Sequence, residues 1–340
     1  MQMTTIEATM QAISPQAERP LLKIERLRKE FPVRTGLLGR AAVSAVDDIS
    51  FEVREGTTVG IVGESGCGKS TTARLVLGLI EPDGGEIIFG GRNIAGLRGP
   101  ARKSVAREMQ MVFQDPYSAL NPRSTIGESI AFPMRIHGVN RKESRERAAD
   151  LLAKVGLAKA HSSYYPHQMS GGQRQRVNIA RAVALNPKLV IADEAVSALD
   201  KSVQAQVLNL LSDLQESLGL TYLFISHDLN VVQYMATRVI VMYLGQVVED
   251  CESRELYSHP LHPYTQALLA SVPDVDPDLQ EPGQELEGEI PSPLNPPSGC
   301  RFRTRCPIAE ARCAESRPQL REVASGHYVA CHLVAGTTAA

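Results

Sequence analysis

Past residue 20 the apolar positions gather into short runs, "LLKIERL", "ISFEV", "TVGIVG", "EIIFG", "MQMVF", "LVIAD", "YLFISHD" and "VIVMYLGQVVE". Their β-branched content, and the Gly or Pro that bounds several of them, predict strands. Between "MVFQ" and "LVIAD" the period lengthens. There "SRERAADLLAKVGL" (144–157) and "GQRQRVNIARAVAL" (172–185) carry apolar residues at helical spacing, which predicts a helical insertion into an α/β core. After about residue 257 the pattern dissolves into Pro and acidic residues, "SVPDVDPDLQEPGQELEGEIPSPLNPPSG". Such a composition cannot pack a core and predicts a linker or extended arm.

Composition narrows the classes. At 340 residues the chain holds one large domain with an appendage, or two domains. Lys and Arg number 36 against 38 Asp and Glu, so the formal net charge of -2 gives no global reason to bind nucleic acid or acidic lipid. No apolar run reaches the ~18 residues of a membrane span; "RVIVMYLGQVV" (238–248) is too short and Gly245 breaks it. The first 20 residues lack the basic start and apolar block of a secretory signal, so they read as a loose polar tail and the protein as cytoplasmic. Of six cysteines, four crowd after residue 299, an arrangement that favours metal or cluster binding over disulfides in a reducing compartment.

The chemistry starts at "GIVGESGCGKSTTA" (60–73), which matches G-x-x-x-x-G-K-S/T at Gly63, Gly68, Lys69 and Ser70, between a strand pattern and a helix pattern. Glycines let backbone N–H groups converge on phosphate oxygens and the new helix end adds a positive dipole. Lys69 meets the β and γ phosphates, and the Ser70 hydroxyl binds Mg²⁺. Cys67, inside this loop, is set apart from the distal cysteines.

In "KLVIADEAVSALD" (188–200), Asp193 and Glu194 end an apolar strand. One carboxylate there holds Mg²⁺ or its water, and the next polarises the water that attacks the γ phosphate. In "MSGGQRQR" (169–176), Ser170, Gly171, Gly172 and Gln173 open a helix and make a second anion-binding terminus. One nucleotide rarely needs two such ends. Two chains facing head to tail would let this end close on the γ phosphate held by the partner's loop; a glycine-rich helix cap is the plainer alternative.

Taken in order, these elements resemble the ATP-binding subunits of ABC transporters over about residues 21–257. The resemblance implies an α/β fold, a RecA-like P-loop ATPase core with an antiparallel β subdomain and a helical subdomain (about 115–185). A disordered tail (1–20) would precede it, and a small cysteine-containing extension (258–340) would follow. By this resemblance Gly63, Glu64, Ser65, Gly66, Cys67, Gly68, Lys69, Ser70 and Thr71 form the Walker A site for ATP. Gln114 in "MVFQD" is the Q-loop glutamine, joining Ser70 and Asp193 around Mg²⁺ and linking the nucleotide to a membrane partner. Glu194 is the general base, and His227 in "FISHD" contacts the γ phosphate. "MSGGQ" is the signature, with Met169 where Leu is usual, and Asp200 of "SALD" (197–200) works across the dimer with Ser170, Gly171, Gly172 and Gln173. Phe31 in "LRKEFPV" resembles the aromatic residue that stacks on adenine, an ordinary core or edge aromatic being the alternative. Ala195 stands where many relatives place proline, a departure expected to alter loop stiffness more than chemistry.

Three features are similar to the oligopeptide and dipeptide importer subfamily: "PVRTGLLGRAAVSAVDDIS", "QDPYSALNPRSTIGESI" (114–130) and "SHPLHPYTQALLASVP" (258–273). That similarity implies an F-type ATPase subunit on the cytoplasmic face of a bacterial inner membrane. Its partners would be a D-type ATPase subunit, two membrane permeases and an extracytoplasmic peptide-binding protein, with no nucleic acid. Importers of nickel and glutathione share these features. A soluble ABC ATPase acting on ribosomes or DNA and a non-enzymatic nucleotide sensor are the rival readings.

Cys300, Cys306, Cys313 and Cys331, spaced C-x5-C-x6-C-x17-C, suit either a 4Fe-4S cluster or tetrahedral Zn²⁺ by count. The resemblance to importer extensions, some of which carry an iron–sulfur cluster, tips the expectation to 4Fe-4S. The interleaved Arg301, Arg303, Arg305 and Arg312 read as solvated or cluster-neutralising rather than as an RNA-binding knuckle, because only Phe302 offers an aromatic platform.

Overall fold

Alternation along the strands decides which of two cores each residue enters. The computed structural model describes residues 19–35, 39–271 and 289–335, so the N-terminal tail and most of the proline-rich segment read as a linker lie outside the described residues. In β3 (Thr58–Val62), Val59 and Ile61 are buried on one side of the sheet and Val62 on the other. In β7 (Leu189–Asp193), Leu189 and Ile191 part from Val190 and Ala192 in the same way; in β8 (Thr221–Ile225), Leu223 and Ile225 part from Tyr222 and Phe224. With β6 (Met109–Val112) and β9 (Arg238–Tyr243) these strands pair in parallel, in the order β9-β3-β8-β7-β6. Strands buried on both faces need cover on both.

One cover is a four-stranded antiparallel sheet, β1 (Pro20–Thr35), β2 (Gly39–Arg54), β4 (Gly84–Phe89) and β5 (Arg92–Asn93), in the order β2-β1-β4-β5. Its Leu22, Ile24, Leu27, Ile49, Phe51 and Ile87 meet Val59, Ile61 and the buried side of α1 (Lys69–Val76), with Val105 of α2 (Gly99–Glu108) at the margin. Each such fully buried Leu, Ile or Phe stabilises the fold by about 1.5–3 kcal/mol. The other cover is helical: α3 (Pro116–Ala119), α4 (Ile126–Ile136), α5 (Arg141–Lys154) and α6 (Gly171–Val183) occupy the insertion, and α7 (Lys201–Leu218) and α8 (Leu229–Met235) follow. Thr125, Asn140 and Ser170 cap α4, α5 and α6 by accepting from the N–H of Glu128, Glu143 and Gln173, which fixes where each helix starts.

Leu244 and Gly245, with φ 43° and 82°, make the tight turn from β9 into β10 (Gln246–Glu252). Then come α9 (Ser253–Ser258) and α10 (Pro263–Ala270), and beyond residue 289 come α11 (Arg312–Glu315), β11 (Arg321–Ala324) and β12 (His327–Val329). The last hairpin is not foreshadowed by the sequence pattern. It joins the core sheet, β12 pairing antiparallel with β10, so the eight strands run β11-β12-β10-β9-β3-β8-β7-β6.

Glu249 fastens this edge. Fully buried on β10, it accepts hydrogen bonds from the Leu261 N–H (2.8 Å), the His262 N–H (3.0 Å) and, across the strand pair, His327 Nε2 (2.8 Å). Burial alone would raise its carboxyl, but the hydrogen bonds, led by that from His327, hold it below the ordinary glutamate value. We predict that Glu249→Ala, which strands those donors without an acceptor, costs about 3 kcal/mol in unfolding experiments. A carboxyl lowered by folding stabilises only while ionised. The stability gap between wild type and Glu249→Gln should therefore be full above the ordinary carboxylate range and close as the pH falls through it; a gap that widens in acid would refute the assignment.

Candidate functional site

β3 ends at Val62, α1 begins at Lys69, and the loop between them wraps around the lysine ammonium. Lys69 is buried, and its Nζ donates to the Gly63 carbonyl (2.6 Å) and the Glu64 carbonyl (2.9 Å), with Cys67 Sγ 3.7 Å away. Gly68 caps α1 in the left-handed region (φ 109°), no side chain caps the helix, and its first turn holds no acid. The leading N–H groups are thus left for an external anion. Glycine is required by space as well as by φ: a Cβ at Gly63 would stand 2.1 Å from the Met242 carbonyl oxygen, and one at Gly68 2.3 Å from that of Ala45. Ser65 and Gly66 are exposed at the loop's tip, and Thr71 is half-buried in the first turn of α1.

The Ser70 hydroxyl lies 2.9 Å from Asp193 Oδ1, at the end of β7. Burial raises the Asp193 carboxyl, Ser70 pulls it back and Glu194 pushes it further up, leaving it above the ordinary aspartate value. Adjoining hydroxyl and carboxylate oxygens are donors that suit Mg²⁺. Glu194 stands in the left-handed region (φ 48°), pinned by its N–H to the Ile225 carbonyl (2.9 Å), a conformation that costs about 1–3 kcal/mol. Gln114 Nε2 donates to Glu194 Oε2 at 2.6 Å, and His227 Nδ1 lies 3.3 Å from Oε1. Gln114 thus reaches the acid pair through Glu194. Ala195 is buried, and its carbonyl accepts from Gln175 Nε2 (2.6 Å), so this junction is held without a proline.

Ser170 and Gln173 form a reciprocal capping box on α6, Ser170 N–H to Gln173 Oε1 (3.0 Å) and Gln173 N–H to Ser170 Oγ (3.3 Å). Gly172 lets α6 close on α7, since a Cβ there would meet Val203 Cγ1 at 2.5 Å; Gly171 is less crowded. Asp200 precedes α7, exposed and without a side-chain cap bond. Phe31 lies on β1 opposite Val43, 37% exposed, with the Lys29 ammonium 5.6 Å from its ring centre.

The segment beyond residue 257 reaches this loop, which sequence reasoning missed. Tyr264 OH accepts the Glu64 N–H (2.9 Å), and Arg305 holds both Glu64 carboxylate oxygens (2.8 and 3.1 Å). Arg301 pairs with Asp47 (2.6 Å) and donates to the Leu244 carbonyl, while Arg317 adds a second bond to Asp47 (3.2 Å). The expectation of solvated or cluster-neutralising arginines is corrected here for Arg301 and Arg305, whose side chains, 11% and 5% exposed, neutralise core carboxylates instead. Arg312, exposed against Glu310, fits the solvated reading, and Arg303 donates to the Ser298 carbonyl. Phe302 is no stacking platform either; it is buried against Tyr243, Tyr264 and His262.

Cys300, Cys306, Cys313 and Cys331 are all free thiols. Burial pushes Cys300 up to about 11, with Cys313, Cys331 and Cys306 adding to the rise. Among the described residues the one trio of metal-type donors within 4.8 Å of one another is Glu249, Cys251 and His327. Its glutamate oxygens are already taken by N–H donors and burial raises the Cys251 thiol, so the trio reads as a satisfied buried cluster.

A phosphate loop at the end of an inner strand, a strand-end acid pair beside it and a glycine-led helix cap together define an ABC-type ATPase cassette. Solved cassettes agree: the dimeric post-hydrolysis structure of the ATP-binding cassette MJ0796 bound to ADP and Pi superposes with a TM-score of 0.61 at 30% identity, covering 68% of this chain and 99% of that one. The ABC transporter family matches residues 46–197, and the oligopeptide/dipeptide transporter C-terminal region matches residues 248–313. The oligopeptide transport ATP-binding protein AppF of Bacillus subtilis is 51% identical over 322 residues, 93% of this chain and 98% of its own length. The probable peptide ABC transporter ATP-binding protein y4tS of Sinorhizobium fredii is 52% identical over 323 residues, 94% of this chain and 92% of its own. This chain belongs to the ABC transporter ATP-binding proteins of the oligopeptide/dipeptide type, and it is an ATPase of that family.

The loop geometry carries a sharp test. Gly68→Ala is expected to lower stability by about 3 kcal/mol, through both strain and overlap with Ala45, and to weaken triphosphate binding. Gly66→Ala meets nothing within 4 Å and keeps only its left-handed strain, about 1 kcal/mol. Thermal unfolding of the two variants side by side checks the ranking, and equal losses would refute it.

Proposed function

We propose that this chain energises import of dipeptides or oligopeptides across a bacterial inner membrane by hydrolysing ATP on its cytoplasmic face. The observation that carries the reading is the Glu194 carboxylate, held between Gln114 and His227 one residue from the Ser70–Asp193 pair. In the proposed cycle the triphosphate draws Lys69 from the Gly63 and Glu64 carbonyls. Ser70, Asp193 and, through its amide oxygen, Gln114 would hold Mg²⁺, which neutralises charge developing on the phosphates. Glu194 orients the attacking water and takes its proton, while His227 meets the γ phosphate. Phe31 stacks on the adenine. Ser170, Gly171, Gly172, Gln173 and Asp200 face the nucleotide of a partner ATPase subunit of D type.

No helix among the described residues is long and apolar enough to cross a membrane. As in an importer of this family, attachment would run through two permeases. Exposed Phe113 and Tyr117, flanking Gln114, support docking there, and an extracytoplasmic binding protein would choose the solute. The similarity to AppF and y4tS, an oligopeptide and a probable peptide transport protein, favours peptides over nickel or glutathione. Cys300, Cys306, Cys313 and Cys331 would hold a 4Fe-4S cluster. What supports a cluster or metal site there is the set of four free cysteines in one C-terminal segment.

Glu194→Gln is expected to bind ATP within a few-fold of wild type while turnover falls at least about 100-fold; near-normal hydrolysis would remove the base assignment. Anaerobic purification is expected to yield brown protein with about four irons per chain, and a colourless, iron-free preparation with stoichiometric zinc would replace the cluster by zinc.

A further inference from the structure

Glu64 is an anion built into a loop that must receive a triphosphate. Every polar group it offers is taken. Its N–H goes to Tyr264 OH (2.9 Å), its carbonyl accepts from Lys69 (2.9 Å), and both carboxylate oxygens accept from Arg305 (2.8 and 3.1 Å). Neither Tyr264 nor Arg305 is local, for they lie 200 and 241 residues along the chain. A second route meets the same loop from the other side. Arg301 donates to the carbonyl of Leu244 and pairs with Asp47, whose N–H donates to the Gly245 carbonyl (2.8 Å), and the Gly245 N–H donates in turn to the Cys67 carbonyl (2.8 Å). The first and last parts of the phosphate loop are thus braced by one C-terminal segment.

We propose that Arg305 and Tyr264 are positioning residues for the ATP site: Arg305 cancels the Glu64 charge so that a triphosphate enters an electropositive loop, and Tyr264 fixes the loop's first turn. The inference rests on the reading of this loop as the ATP site. It adds that nucleotide affinity is set partly by a segment that carries none of the nucleotide motifs. Because neither residue touches the reacting atoms, the effect falls on binding rather than on the chemical step.

The test uses the full chain, purified with its metal content measured, and a fluorescent ATP analogue alongside steady-state hydrolysis. Arg305→Ala is expected to raise Kd and the KM for ATP about 10-fold, equivalent to 1.4 kcal/mol, with kcat within about 2-fold and with the defect shrinking as salt rises. Glu64→Gln combined with Arg305→Ala is expected to restore affinity to within about 3-fold of wild type, because the charge left uncovered by the first change is removed by the second. Arg305→Lys should fall between, and Tyr264→Phe should weaken binding by a few-fold. Wild-type affinity in Arg305→Ala, or a double variant as weak as the single one, overturns the proposal. If Arg305→Ala does not fold, Glu64→Gln alone decides: binding as tight as wild type or tighter supports the charge argument, and weaker binding overturns it. Failure of the underlying reading looks different, since Lys69→Ala would then bind the analogue as well as wild type does.

Discussion

The structure turns on how closely the backbone of the phosphate loop approaches its neighbours. Gly63 passes so near the Met242 carbonyl, and Gly68 so near that of Ala45, that any side chain at either position would overlap backbone oxygen. Met242 belongs to β9 and Ala45 to β2, so the loop is shaped by contact with the parallel sheet on one side and the antiparallel sheet on the other. A loop held this way presents its N–H groups without having to order itself when an anion arrives, which is where much of the cost of binding would otherwise fall. The alternation in β3, β7 and β8 serves the same end, because it locks the strand from which the loop springs between two cores.

Electrostatics then has to be managed around that loop. Lys69, buried, rests on two carbonyls; Asp193 Oδ1 accepts from the Ser70 hydroxyl; Glu194 is held by Gln114 and His227. Glu64 and Asp47 are the remaining anions near the loop and the turn that touches it, and the C-terminal segment covers both with Arg305, Arg301 and Arg317. A part-buried pair of this kind is poor evidence for stability by itself, since desolvation offsets much of the attraction. What it gives reliably is a severe penalty for leaving one partner alone. The nucleotide loop and the C-terminal segment are therefore bound to each other by the requirement that neither charge be stranded.

The division between what was legible in the sequence and what was not follows from range. Gly63, Gly68, Lys69 and Ser70 are close in sequence because one turn needs them together; Ser170 and Gln173 are three apart because a capping box is. The two helices read from apolar spacing at 144–157 and 172–185 appear as α5 and α6, since local propensity and burial agree there. The hairpin β11–β12 was illegible. Its strands are only four and three residues long, with little alternation, and they exist as strands because β10 offers them a free edge. The arginines misled for a related reason: beside cysteines they read as a local pattern, while their partners lie on β2 and in the phosphate loop.

Sheet continuity makes the attachment of the extension more than a matter of charge. β12 hydrogen-bonds to β10, β10 to β9, and β9 to β3, whose C-terminal end is the start of the loop. Glu249 ties the same edge to the backbone at Leu261 and His262, immediately before Tyr264, the residue whose hydroxyl meets Glu64. Tyr264 is fully buried, and Tyr243 and Phe302 pack against its ring, so its hydroxyl has little freedom to move independently of the edge. Any perturbation that shifts the cysteine-bearing segment must then either break the sheet edge, leaving Glu249 and its donors unsatisfied in the interior, or carry Tyr264 and Arg305 with it.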